Sequence, residues 1–228
     1  MSLSPYAPVW RPLKPSVLGN RVFGFSPKLK RPIEVSSRLE HERWLLLEWD
    51  GDVVEFSTQP ALAVAFVDGK MRRSRLDFWV RCQNGRERFE EIKYEQELKN
   101  RTSRAHRQIE IQQIWCTEQK IEHAVVTDAE IWSNPTLINS LNTLFVEYNP
   151  RFLINKGAAL QISDEMEASI EKKPGRAIYE IIRDFHGAAS LDIIRLSLFE
   201  LIRCRRVDAN IAVERLSPRS KINVMGEL

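Results

Sequence analysis

The stretch that decides the fold is RRSRLDFWVRCQNGRERFEEIKYE, residues 72–95. It predicts two strands, 75–82 and 87–94, around a turn at Asn84-Gly85, the strongest short-range hairpin signal. Both strands carry charge where a pleated surface favours β-branched or aromatic side chains. Asp77 lies within the first, and Glu90, Glu91 and Lys93 lie in the second. Sequences tend to break local rules of this kind at functional sites.

Register decides whether these charges meet. Residues directly opposite in an antiparallel pair share a face. A two-residue loop, Asn84-Gly85, would set Asp77 opposite Ile92 and turn Asp77 and Glu91 to opposite sides. A three-residue loop, Gln83-Asn84-Gly85, with Gly85 left-handed in a bulge, sets Cys82 opposite Arg86 and Asp77 opposite Glu91, with Lys93 diagonal on the same face. That register also gathers Leu76, Phe78, Val80 and Ile92 on the other face, so the apolar pattern favours it. The result is D-x13-E-x-K. Two carboxylates at about 5 Å repel each other. A divalent cation relieves the repulsion, and a neighbouring lysine can orient an attacking water and balance charge on a phosphate. The bland alternative is a solvated strand face with a surface ion pair, and spacing alone leaves both readings open.

The chain has 228 residues, 43% of them hydrophobic, and a net charge of +3, which alone excludes little. The length suits one large domain or two small ones. Cys82, Cys116 and Cys204 form no C-x-x-C pair, which argues against a zinc site or a disulfide framework and fits a reducing compartment. The opening residues lack a signal-peptide core, and no apolar run approaches membrane-spanning length. The expectation is a soluble, intracellular protein with no membrane partner.

Residues 1–33 are expected to form an extended basic arm. They contain Arg11, Lys14, Arg21, Lys28, Lys30 and Arg31 and no acid, with prolines and aromatics interleaved. Such an arm can track a phosphate backbone, or its aromatics can dock on the domain it wraps. Arg72 and Arg73, at the head of residues 72–95, join the six as candidate DNA contacts. A nuclease-like domain is expected over 34–147. It opens with a helix from Ser36 to about Trp49, whose Ser37 and Glu40 match the capping box. Glu48 in its last turn opposes the helix dipole, and the sequence offers no reason for it. Strands follow at 53–56 and 61–67, the latter turning at Asp68-Gly69, and then the hairpin. Ser103 to Lys120 reads as a helix, 122–127 as a buried strand, with Asp128 as a candidate cap, and 134–145 as a helix. Helix, meander, helix, strand is an α/β arrangement.

From 148 to 228 the pattern changes to helices, at 151–161, 164–172, 176–185 and 191–204, closing in a short basic hairpin. This suggests a small, mostly helical, winged-helix-like module. From 147 onward basic and acidic residues nearly balance, 13 against 12. That balance favours protein docking over phosphate neutralisation without excluding DNA.

The segments SSRLEHERWLLLEWD, VVEFSTQP, SRLDFWV with EEIK, and IWCTEQKIEHAVVTDAEI follow one another over residues 36–132. In that order they resemble the TnsA transposon endonuclease family, within the restriction-endonuclease-like PD-(D/E)-x-K nucleases. Leu76 departs from the usual proline before the aspartate. The resemblance implies an α/β fold with a mixed sheet flanked by helices and a catalytic set of Glu40, Asp77, Glu91 and Lys93. It implies a metal set of Glu40, Asp77, Glu91 and Ile92, with Mg2+ as the cofactor and Mn2+ able to replace it. The implied activity is cleavage of the 5′, non-transferred strands of double-stranded DNA at transposon ends. The implied partners are a TnsB-like DDE transposase and a TnsC-like AAA ATPase, in a bacterial cytoplasm and at the nucleoid when active. Gln59-Pro60 matches a family signature without an assigned chemistry. A restriction or repair nuclease of the same fold, or a non-catalytic adaptor between transposase and ATPase, remains the alternative.

Overall fold

The computed structural model describes residues 22–100, 102–146 and 151–225. The chain divides into two compact units, with the boundary after Ser133.

The first unit begins with strands β1 (Val22–Ser26) and β2 (Arg31–Val35), which pair as a hairpin. The extended arm expected to reach residue 33 is therefore corrected from Val22 onward. Phe25, Ile33 and Val35 are buried there, so this segment joins the core. Helix α1 (Arg38–Trp49) follows, capped by Ser37. Next come β3 (Val53–Thr58), β4 (Leu62–Val67), β5 (Lys70–Arg75), β6 (Phe78–Cys82) and β7 (Glu87–Lys93). A single turn, α2 (Glu95–Leu98), leads to α3 (Arg104–Gln119), β8 (Glu122–Thr127) and the short α4 (Asp128–Ile131), capped by Thr127 and not by Asp128.

The central sheet runs β3-β6-β7-β8, antiparallel except for the parallel pair β7-β8, which α3 connects. The strand expected over 75–82 is two strands. Arg75 ends β5, which pairs with β4 in a separate two-stranded ribbon, and β6 starts at Phe78. Leu76 and Asp77 form the break between them. The reason is packing: Ala63, Ala65 and Val67 of the ribbon, with Leu76, Trp79 and Phe89, make one apolar cluster against Ile111 and Cys116 of α3. The small alanines let the helix approach closely.

The second unit holds α5 (Pro135–Val146), α6 (Arg151–Lys172), α7 (Ile178–Asp184) and α8 (Leu191–Arg203), with a three-stranded sheet of short strands β9 (Arg176–Ala177), β10 (Val207–Asp208) and β11 (Lys221–Val224), ordered β10-β11-β9. α5 falls in this unit, whereas the sequence reading placed the boundary between 147 and 148. Ser140 on α5 donates to Glu214 O and accepts from Leu216 N, ties that bind the helix to the later residues. The two helices expected over 151–161 and 164–172 are one, since no proline interrupts them and Ser163 satisfies its hydroxyl on Ala159 O, one turn back. Of the apolar residues Leu191, Ile194, Leu198, Leu201 and Ile202, which recur at helical spacing along α8, the last four are buried, whereas Leu191 at the first turn is exposed.

Candidate active site

The hairpin takes the three-residue register. Phe78 pairs with Glu90 and Arg81 with Glu87, and the same register sets Asp77 across from Glu91. Cys82 N donates to Arg86 O, Gly85 N to Cys82 O, and Gly85 has φ +80°, a conformation glycine adopts without strain. Asp77 N donates to Glu90 O, and Ile92 N returns a bond to Asp77 Oδ2 at 2.8 Å. The break before β6 therefore aims the Asp77 carboxyl across β7, beside Glu91.

Glu91 is 2% exposed and fully engaged. Lys93 Nζ donates to its Oε1 at 2.5 Å and Gln112 Nε2 to its Oε2 at 2.6 Å. Glu40 is 8% exposed. Its N–H donates to Ser37 Oγ, the first half of the expected capping box, but its Oε2 accepts from Ser36 N, one residue earlier than the N-cap. Gln59 closes the arrangement. Its backbone is left-handed at φ +49°, its N–H donates to Asp77 O at 2.8 Å, and its Nε2 donates to Ser36 Oγ at 2.5 Å. One residue thus joins the turn before α1, which leads to Glu40, to the residue before β6.

The electrostatics agree with convergence. Burial pushes the Asp77 carboxyl well above the ordinary aspartate range, and the charges of Glu91 and Glu40 push it further. Burial also raises Glu40, against the Ser36 and Ser37 hydrogen bonds, and Glu91 adds to the rise. Burial works against the Lys93 ammonium, but the charge and hydrogen bond of Glu91 outweigh it and hold the pKa above the usual lysine value. Glu40, Asp77, Glu91 and Lys93 therefore feel one another. Among the described residues, no three His, Cys, Asp or Glu side chains stand close enough to hold a metal ion as arranged. The hydrogen bonds supply the reason: Ser36 N holds Glu40, Ile92 N holds Asp77, and Lys93 with Gln112 holds Glu91. The set still suits a hard divalent cation, because Glu40, Asp77 and Glu91 are oxygen donors, and a cation relieves the burial and like charge that suppress ionisation of Glu40 and Asp77. Ile92 has a hydrocarbon side chain, so only its main-chain oxygen can join such a set.

Several supporting residues escaped the sequence reading. Gln112 is completely buried on α3 and also donates Nε2 to Ser74 Oγ and Arg75 O, while its Oε1 meets His123 Nε2 at 3.1 Å. Since Oε1 only accepts, His123 carries its proton on Nε2. Its covered Nδ1 takes no hydrogen bond among the described residues, and burial lowers its pKa. The signal for Gln112 was its place on the stripe Ala105, Ile109, Cys116, where a core residue belongs. Glu90 faces the other side of the sheet, 0% exposed, gripped by Arg43 through two bonds of 2.8 and 2.7 Å and by Arg88 at 2.8 Å. Burial opposes its charge, but the two arginines hold its carboxyl below the usual range.

The candidate DNA contacts divide. Arg11, Lys14 and Arg21 lie outside the described residues. Lys28 is used inside the fold: its Nζ donates to Leu47 O, Asp50 O and Val53 O at the C-terminal end of α1. Arg31 donates to Phe56 O. Lys30 is exposed at the turn of the β1-β2 hairpin. Arg72 lies 3.8 Å from Asp68, and Arg73 is exposed on β5.

A mixed sheet that presents an aspartate, a glutamate and a lysine in D-x13-E-x-K order, with a glutamate supplied by the preceding helix, is the framework of a restriction-endonuclease-like nuclease domain. Residues 50–128, from the end of α1 into α4, match the family described as TnsA-like endonuclease N terminal. That span holds Asp77, Glu91, Lys93, Gln59 and Gln112 and stops short of Glu40. No curated protein matches the chain. Among the described residues, no helix is long and apolar enough to cross a membrane.

Proposed function

We propose that this protein is a divalent-metal-dependent DNA endonuclease of the TnsA type, cutting the 5′ strands at transposon ends. The meeting of Asp77 with Glu91 and Lys93 across the hairpin, within the electric field of Glu40, carries the reading, because no packing need accounts for two facing carboxyls beside a lysine. Glu40, Asp77 and Glu91, with the Ile92 carbonyl, would hold Mg2+ or Mn2+. Such an ion supplies neutralising charge at the phosphate and a more acidic water. Ile92 N fixes the Asp77 carboxyl. Gln112 fixes Glu91, and Glu91 in turn orients the Lys93 ammonium, which is held protonated. A protonated Lys93 donates to phosphate oxygens and stabilises the charge that builds there. It does not serve as the resting base.

By resemblance, the chain works beside a TnsB-like DDE transposase and a TnsC-like AAA ATPase, with residues 134–228 as the docking module. The near balance of charge in that part supports a protein partner over phosphate. The test is strand-specific cleavage of duplexes carrying transposon ends, with and without the cognate transposase. Metal-dependent 5′-strand cuts that vanish in Asp77→Ala support the reading. Full cleavage by Asp77→Ala would overturn it, and a chain that binds both partners but never cuts would establish the adaptor alternative.

A further inference from the structure

We propose that the β4-β5 ribbon is a DNA-engaging arm of the nuclease, with Phe66 and Met71 as an apolar wedge at its tip. This rests on the endonuclease reading and names the surface through which the enzyme grips duplex beside the cut.

The ribbon has two unlike faces. Ala63, Ala65, Val67 and Ser74 are buried, and Gln112 of α3 ties down Ser74 Oγ. The opposite face carries Leu62, Val64 and Phe66 on one strand and Met71, Arg73 and Arg75 on the other, paired Leu62 with Arg75, Val64 with Arg73 and Phe66 with Met71. Phe66 is 66% exposed, Met71 65% and Leu62 43%. Phe66 and Met71 are cross-strand neighbours beside the tight turn Asp68-Gly69, whose φ values of +50° and +70° let the ribbon end in two residues. Phe66 and Met71, paired at the end of the ribbon, leave most of their surface outside the core of this unit.

Charge selects the occupant. β5 reads Lys-Met-Arg-Arg-Ser-Arg, with Arg73 and Arg75 on the face of Phe66 and Met71 and Lys70 and Arg72 on the other, and residues 62–75 contain one acid, Asp68. A basic two-stranded ribbon fits a DNA groove, and apolar side chains such as phenylalanine and methionine wedge between base steps in architectural DNA-binding proteins. Position agrees. Arg75 is followed by Leu76 and then Asp77, so the ribbon grows out of the candidate active site. Met71 lies six residues from Asp77, a reach of at most about 20 Å at about 3.3 Å per residue. On DNA that is within about six base pairs of the cut, at about 3.4 Å each.

The test measures binding of the full chain to an end-containing duplex in Ca2+ buffer across a salt series, with 2-aminopurine placed at successive steps near the cut. Wild type is expected to raise 2-aminopurine fluorescence at one step within about six base pairs of the cut. The double variant Phe66→Ala/Met71→Ala should lose that signal and bind about tenfold more weakly, the scale of one lost stacking contact. Phe66→Leu, which keeps an insertable side chain, should retain most of both. Arg73→Ala should lower the salt slope by about one. Thermal unfolding should match wild type, since the altered side chains are exposed. Wild-type affinity and fluorescence in the double variant would overturn the proposal. So would a double variant that turns a dimer into a monomer without changing DNA affinity, for the face would then join two copies. Metal-dependent nicking is scored separately in Mg2+. Persistent nicking with an unaffected double variant sinks the ribbon alone, whereas a wild type that neither nicks nor binds sinks the endonuclease reading too.

Discussion

At the residue scale, Glu40 shows how one side chain serves two ends. Its N–H takes the Ser37 cap, and its carboxylate takes Ser36 N while meeting the field of Glu91. Glu40→Gln keeps a hydrogen-bond acceptor at the helix start but carries no charge for a metal. It should therefore leave the melting temperature nearly unchanged and lower metal-dependent cleavage at least about a hundredfold, the usual cost of losing a positioned electrostatic group. Retained cleavage would reduce Glu40 to a cap. Gln112→Ala should leave Glu91 Oε2 buried without its donor. The expected loss is about 1–3 kcal/mol in urea unfolding, together with a fall in kcat. Glu48, unexplained by sequence, accepts from Trp44 Nε1 and Lys28 N, and burial raises its pKa above the usual glutamate value. The folded state then holds that proton more tightly than the unfolded chain does. The associated stability is full below the ordinary glutamate pKa and is lost as pH rises through the folded value. Glu48→Gln should flatten that part of the stability–pH profile, measured by denaturant unfolding from pH 4 upward.

At the element scale, α1 and β7 must keep a fixed register for Glu40 to meet Asp77 and Glu91. The bidentate pair between Arg43 and Glu90 supplies that register three residues along the helix from Glu40. Removing one partner of a buried pair strands the other charge, and Glu90 is wholly buried. Arg43→Ala should accordingly cost about 3–5 kcal/mol, moderated by the second arginine, Arg88. A melting temperature unchanged in Arg43→Ala would show that α1 is held by its apolar face alone. The hairpin turn imposes a smaller constraint. Gly85→Ala places a Cβ in a left-handed conformation, though in open space, and should cost about 1 kcal/mol without altering the register.

At the scale of the whole molecule, every candidate catalytic residue lies before Ser133, and α5 belongs to the second unit. A fragment ending at Ser133 should unfold cooperatively and keep the candidate site. One ending near residue 147 would carry α5, whose Ile138, Leu141 and Leu144 are buried in the full chain. That longer fragment should aggregate more readily in light scattering, since exposed apolar patches promote association. Equal behaviour of the two fragments would contradict the boundary at Ser133.

The sequence by itself determined the hairpin, its register and the meeting of Asp77 with Glu91, because a strand has period two and a three-residue loop closed by a left-handed Gly85 turns both carboxyls to one face. It also located α1, α3, β8 and α8, although β8, expected to be buried, is the edge strand of its sheet and only partly covered. Tertiary structure decided the rest. The break of one expected strand at Leu76-Asp77 depends on the ribbon packing against α3, a contact between residues far apart in the chain. Residues 22–33 read as part of an arm because their prolines and lysines are local signals, whereas Lys28 finds its partners at the end of α1 only once the chain has folded. Gln112, Gln59 and the Arg43–Glu90 pair share that cause. Each is a polar residue whose reason for its position is another polar group brought near by the fold, and spacing along the chain carries no record of it.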